Sequence, residues 1–199
     1  MTETNDSGSN GISIAALAAI GADRANRVRS LIRAVPGFPH EPIVFQDITP
    51  LLADGAAFRD VIEAFALLCE QPGGPKVDVV AGIEARGFVL GAPLAIRLGV
   101  GFVPLRKAGK LPPPVTHVEY QLEYGSAAME ITDGTIKPGA SVLVIADVLA
   151  TGGTALAAAS LVEKAGASVA ALMFLLDLSD LGGMARLGKY RAEALLRFP

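Results

Sequence analysis

The sequence has no tryptophan, a single cysteine and only 19% charged residues. A lone cysteine, Cys69, rules out a disulfide framework within the chain, and a cysteine-based metal site would need further ligands. Cys69 falls within an apolar helical pattern, where a free thiol behaves as a small core residue. With a formal net charge of −3, the chain lacks the surplus of Lys and Arg that marks a general nucleic-acid binder, although a local basic loop is still allowed. No apolar run approaches the ~20 residues of a membrane helix. The run from Ile12 to Ala22 is too short. Glu3 and Asp6 precede it without any Lys or Arg, so it also lacks the basic start of a signal peptide. His40 and His117 have no partners at metal-ligand spacing and read as surface residues. The expectation is a cytoplasmic, soluble protein with neither a membrane nor a nucleic acid as partner.

The chain is instead rich in apolar residues, at 51% of 199, enough for one sizeable core. Residues 1–11 are polar and small, the composition of a disordered tail, and residues 12–199 are expected to form one domain. Ile12 to Arg33 is helical in pattern, interrupted near Gly21 and stopped by Pro36-Gly37. Pro39 to Pro50 reads as a loop. Phe58, Val61, Ile62, Phe65, Leu68 and Cys69 then fall on one helical face.

From there strands and helices alternate. Strands are expected at Val77–Ala81, Gly101–Leu105, Val142–Ile145 and Ser168–Leu176. Helices are expected at Arg86–Leu98 and Thr154–Ala165, and two further strands at Val118–Glu123 and Ala127–Ile131 are joined near Gly125. This alternation predicts an α/β fold with a parallel central sheet flanked by helices. Ligands of such sheets bind beyond the carboxyl ends of the strands. The strand-end loops are Gly82 to Gly87, Arg106 to Pro114 and Asp147 to Gly153.

The third of these is the most telling. Val142 to Thr154 reads V-L-V-I-A-D-V-L-A-T-G-G-T, a strand, an acid, a glycine turn between two threonines and a helix start. A helix N-terminus offers unpaired N–H groups and the positive end of its dipole, which suits a phosphate. Asp147 suggests that the phosphate carrier also has hydroxyls. No Lys-Ser/Thr follows the glycines, so this is not a Walker A loop, and it does not match G-x-G-x-x-G. Gly82-Ile-Glu-Ala-Arg-Gly87 and Arg106-Lys-Ala-Gly-Lys110 add cations at neighbouring strand ends. Taken alone, the first is an ordinary surface ion pair and the second a solvated charge run. Side by side they suit a second anionic group, Arg by bidentate contact and Lys as a point charge. Phe45 suits stacking on a planar ring, or plain core packing.

Together, V-F-Q-D-I-T-P-L-L, G-I-E-A-R-G-F, V-P-L-R-K-A-G-K-L-P, Y-Q-L-E-Y-G and the Val142–Thr154 segment resemble, in order, the adenine branch of the type I phosphoribosyltransferases. The resemblance runs from about Phe38 to the end. It implies a small hood, mainly residues 12–52, a flexible loop and a homodimer. It also implies transfer of a phosphoribosyl group from 5-phosphoribosyl 1-diphosphate to adenine, giving AMP and diphosphate, with magnesium carried mainly by the substrate rather than by protein ligands. By resemblance, Ala150, Thr151, Gly152, Gly153 and Thr154 cradle the 5′-phosphate and Asp147 bonds a ribose hydroxyl. Glu84, Ala85 and Arg86 form the pyrophosphate loop. Arg106, Lys107 and Lys110 reach the pyrophosphate, within the chain or across a dimer interface. Phe45 and Val148 sandwich the purine, whose edge is read by backbone near Val44 and Gln46. Glu123 lies in a closing loop and acts as acid/base toward a ring nitrogen.

The chain departs from this pattern at Ala146, where relatives usually carry an acid. A hydrogen bond to a charged acceptor is worth roughly 1.5–3 kcal/mol, so its loss predicts sugar binding weaker by about ten- to a hundred-fold. Gln46 stands where a basic residue is usual, and Pro42 and Pro113 stand where Gly is usual. Two alternatives follow: a weakened relative that senses the phosphoribosyl donor, or the same transfer to another purine.

Overall fold

The computed structural model describes residues 14–121 and 126–199. The expected tail at 1–11 and Glu123 lie outside them. Two short helices, α1 (Ile14–Ala19) and α2 (Ala22–Ser30), open the described chain. Gly21, between them, has φ 93°, a conformation that disfavours any side chain. The helical pattern stops at Ser30, earlier than expected. Arg33–Pro36 (β1) instead pairs antiparallel with Val44–Asp47 (β2). The segment expected to be a loop therefore contains a strand. Its ion pair, Arg33 to Asp47 at 2.7 Å, spans the register-matched ends of the hairpin.

Helices α3 (Thr49–Ala53) and α4 (Gly55–Glu70) follow. Asp54 caps α4 by accepting the N–H groups of Ala56 and Ala57 at 3.0 and 2.9 Å, as the orphan donors of a helix start require. Asp60 on α4 fastens the N-terminal helices: it accepts from Arg24 Nε at 2.8 Å and also pairs with Arg27. Burial pushes the Asp60 carboxyl up, but the two guanidinium groups outweigh it and hold the carboxyl below its ordinary value.

The central sheet is built from β3 (Val79–Ile83), β4 (Gly101–Lys107), β5 (Val115–Gln121), β6 (Ser126–Thr132), β7 (Ser141–Leu149), β8 (Ser168–Leu178) and β9 (Ala192–Phe198). Its order is β5-β6-β4-β3-β7-β8-β9. The five strands from β4 to β9 in that order are parallel, while β5 and β6 form an antiparallel extension at one edge. Helices α5 (Arg86–Leu98) and α6 (Gly153–Lys164) make the crossovers, and a short helix α7 (Gly183–Arg186) follows β8.

Alternation along β7 divides the core between the two faces of the sheet. Leu143 and Ile145 pack with α4 and α5, whereas Val142, Val144 and Ala146 pack on the face of α6. Cys69 is half-buried against the first of these layers, and burial pushes its thiol up to about 11. Among the described residues no helix is long and apolar enough to cross a membrane.

Candidate active site

The loops that follow β3, β4 and β7 lie side by side, because the sheet order puts β4, β3 and β7 next to one another. After β7 the chain turns at Gly152, φ 82°, directly into α6. No side chain caps that helix, so its first N–H groups face a cavity of about 90 Å³ lined by Ala146, Ala150, Thr151, Gly152, Gly153 and Thr154. This is an open anion cup. A second cavity of about 290 Å³, lined by Glu84, Lys107, Tyr120 and Thr154, shares Thr154 with the cup and extends it toward the basic loop.

Asp147 lies near the carboxyl end of β7. Its Oδ2 lies 2.9 Å from Arg86 Nε, but that oxygen is buried and makes no hydrogen bond of good geometry. Burial raises the Asp147 carboxyl above its ordinary value, and Arg86 offsets this only in part. The Arg86 guanidinium also sits 5.6 Å above the centroid of the Phe45 ring, within range of a cation–π contact. Phe45, Arg86 and Asp147 are thus brought together from β2, α5 and β7. Phe38 packs edge-on against Phe45 at 5.3 Å. Val148 packs on the core layer shared with α4 and α5 and also lines the cup. Val44 is exposed, and Gln46 is half-buried with its Oε1 unpartnered.

The Gly82–Gly87 loop is set by close approach. A Cβ on Gly82 would lie 2.7 Å from the carbonyl of Gly87, and one on Gly87 would lie 2.6 Å from the carbonyl of Ile145. The Glu84–Ala85 peptide is cis, and Ala85 is exposed. Glu84 accepts from Arg106 Nε and Nη2 at 3.3 and 3.2 Å and from the Lys107 N–H at 2.9 Å. Arg106, followed by the Lys107 amide, holds the Glu84 carboxyl below its ordinary value. Arg106 therefore turns toward the Gly82–Gly87 loop of its own chain, while Lys107 and Lys110 are exposed.

A phosphoribosyl transferase domain matches residues 47–187. The adenine phosphoribosyltransferase of Kineococcus radiotolerans is 58% identical over 163 residues, covering 82% of this chain and 86% of that protein. The adenine phosphoribosyltransferase of Thermoanaerobacter pseudethanolicus superposes with a TM-score of 0.83 at 46% identity, over 87% of this chain and 99% of the other. The chain belongs to the adenine phosphoribosyltransferase family. The enzyme from Saccharomyces cerevisiae, solved with an imino-altritol bisphosphate and adenine, superposes with a TM-score of 0.80 at 39% identity, over 87% of this chain and 98% of the other.

The supports beneath the loops of this adenine phosphoribosyltransferase fold lie outside the sequence motifs. Gly183 lies so close under the cup that a Cβ there would come within 2.2 Å of the carbonyl of Ala150, and Arg186 Nη1 donates to the carbonyl of Thr151 at 3.3 Å. The Gly182-Gly183 pair after β8 was the available signal. Glu130, on β6, accepts the N–H groups of Gly109, Lys110 and Leu111. Its signal was a lone acid between the apolar residues Met129 and Ile131.

Proposed function

We propose that the protein is a purine-salvage enzyme that transfers the 5-phosphoribosyl group of 5-phosphoribosyl 1-diphosphate to adenine, releasing AMP and diphosphate. The observation that carries this reading is the convergence, at adjacent strand ends, of an uncapped helix start, an acid with an unpartnered oxygen and a cationic loop. One ligand with a phosphate, hydroxyls and a second, larger anionic group satisfies all three.

In this reading Ala150 to Thr154 hold the 5′-phosphate through main-chain N–H groups. Asp147 accepts from a ribose hydroxyl, which displaces Arg86 toward the diphosphate. Phe45 and Val148 flank the adenine ring, and the backbone at Val44 and Gln46 meets its edge. As the bond from C1′ to the diphosphate oxygen breaks, positive charge develops on the sugar and negative charge on the leaving group. Arg106, Lys107 and Lys110 stabilise that departing charge. A ring nitrogen of adenine bonds to C1′ and its proton leaves, with Glu123 assigned as the acceptor.

Magnesium fits as a substrate-borne ion. Among the described residues no cluster of three acidic, His or Cys side chains exists to cage a metal, and magnesium commonly binds through one carboxylate plus phosphates and water. Carried mainly by the substrate, the ion would meet Asp147 as its protein carboxylate and would supply charge neutralisation at the diphosphate. We assign a cytoplasmic homodimer on family grounds.

Turnover with adenine, guanine, hypoxanthine and xanthine tests the reading. Adenine is expected to react at a rate far above the other three. Turnover of another base in preference would move the assignment to that purine. Tight donor binding without turnover of any base would replace it with a donor sensor, the reading that Ala146 favours.

A further inference from the structure

We infer that Glu130 is a positioning residue for diphosphate recognition, holding the main chain of the loop from Arg106 to Leu111 so that its cations face the strand ends. The inference rests on the transfer reaction proposed above. Glu130 stands opposite Arg106 in the antiparallel pairing of β6 with β4. It is 4% exposed, on a strand whose neighbouring residues Met129 and Ile131 enter the core. A carboxylate is costly to bury unless it is fully hydrogen-bonded. Here Oε1 accepts the N–H groups of Lys110 and Leu111, each at 2.7 Å, and Oε2 accepts that of Gly109 at 3.1 Å. Burial pushes this carboxyl up, but the three amides and Arg106 prevail and hold it below its ordinary value.

Consecutive N–H groups turned toward one point form a concavity that binds anions, and the φ of 80° at Gly109 permits the turn. The protein thus has two main-chain anion cradles at the same end of the sheet. The one at the start of α6 has no side chain in it. The one in the basic loop is filled by Glu130. A diphosphate arriving at this loop cannot use its amides and must meet the side chains of Arg106, Lys107 and Lys110. Glu84 grips the near end of the loop through Arg106 and the Lys107 amide, and Glu130 grips the far end. Without Glu130, the far end of the turn would keep only the bond from Arg106 Nη1 to the Lys110 carbonyl at 3.2 Å, beyond the bond of the Ala108 N–H to the Ala128 carbonyl at 2.9 Å, and the amides of Gly109, Lys110 and Leu111 would lose their acceptor.

Charge alone predicts the opposite outcome, since neutralising a carboxylate beside a diphosphate site should tighten anion binding. The sign of the effect therefore decides the matter. In the full-length protein, Glu130→Met is expected to raise the KM for the donor and the calorimetric Kd for inorganic diphosphate by about ten-fold or more. The KM for adenine should stay within about two-fold, because the base side shares no partner with the loop. Glu130→Gln keeps an acceptor for Lys110 and Leu111 and should fall between Met and wild type. Diphosphate binding that is unchanged or tighter in both variants overturns the proposal. So does a loss shared equally by donor and adenine in step with a falling Tm. If Glu130→Met does not fold, Glu130→Gln decides alone, against the same criteria. A wild-type protein that binds diphosphate but never turns over adenine would sink the transfer reading and leave the Glu130 series decisive. One that binds no diphosphate overturns both.

Discussion

Gly87 offers the sharpest test of how the fold holds the site. A Cβ at this position would lie 2.6 Å from the carbonyl oxygen of Ile145 and 3.5 Å from the Cα of Ala146. Both atoms belong to the β7 backbone, which sits mid-sheet between β3 and β8 and has little freedom to yield. Ordinary contact begins about 0.8 Å further out, so in Gly87→Ala the start of α5 must lift by most of that distance. Arg86, the residue before, moves with it, and its 2.9 Å approach to Asp147 is lost. Overpacking of this kind costs about 1–3 kcal/mol. For a chain of 199 residues, each kcal/mol is roughly 2–4 °C of Tm, so the expected fall is about 2–12 °C. Displacing binding groups by ~1 Å can cost about a hundred-fold in rate, and kcat/KM for the donor should drop by about ten- to a hundred-fold. Calorimetry and steady-state kinetics read both quantities. Gly101→Ala is the control: its Cβ would meet only Val79 Cγ2 at an ordinary 3.7 Å, and a change within about 0.5 kcal/mol is expected. A Gly87→Ala protein with wild-type Tm and kcat/KM would refute the view that close approach, rather than chain flexibility, requires this glycine.

Three further outcomes follow from the same geometry. Ala146→Asp adds an acceptor at the cup and should lower the donor KM by about ten-fold; an unchanged KM sinks the idea. At Asp147 the raised carboxyl means that, between the ordinary and the raised value, the folded state binds more protons than the unfolded one. Its contribution to stability is present below that window and lost as pH rises through it. Asp147→Asn should therefore keep or raise Tm at pH ~7 while raising the donor KM about ten-fold, and a lower Tm with an unaltered KM would contradict this. Arg197 donates to Asp177 at 3.1 Å, and Asp177 is 1% exposed with its other oxygen unpartnered. Arg197→Ala strands a buried carboxylate at a cost of about 3–5 kcal/mol, or roughly 6–20 °C of Tm, most of which Asp177→Asn in the same background should restore; a fall of only a degree or two would count against that burial.

The parts of the fold that announced themselves were those with a strong period. Val142 to Ala146 is an unbroken apolar run because β7 is covered on both faces, and α5 spans the expected Arg86–Leu98. The hairpin of β1 and β2 stayed hidden because its strands are only four residues each and neither alternates between buried and exposed positions, which leaves no period to read. The strand β9 lies at the sheet edge and is defined by its parallel register on β8, a tertiary cause that local pattern cannot carry. At the site, glycines and cations in strand-end loops were visible as residue types. What positions them was not. The close approach of Gly183 to the carbonyl of Ala150 and the three bonds to Glu130 join residues far apart in the chain, and neither segment by itself names its partner.

The departure at Ala146 also takes on a different meaning once the strand is placed. Alternation along β7 sends Ala146 to the α6 face, where it lines the cup, and turns Asp147 toward Arg86 on the other side. Two acids here would not be duplicates. One would sit beside the phosphate cradle and the other beside the base. Removing the first has two opposed effects on a phosphorylated sugar: it deletes a hydroxyl acceptor worth roughly 1.5–3 kcal/mol, and it removes a like charge whose repulsion in a water-filled cup is about 1 kcal/mol at 4 Å. The acceptor outweighs the repulsion, so Ala146 is expected to weaken the donor side on balance, but by less than a simple count of lost bonds suggests. The acid that is kept is the one that also holds Arg86 over Phe45. Losing that one would disturb the sugar, base and diphosphate contacts together, and no relief of repulsion at the cup would offset it.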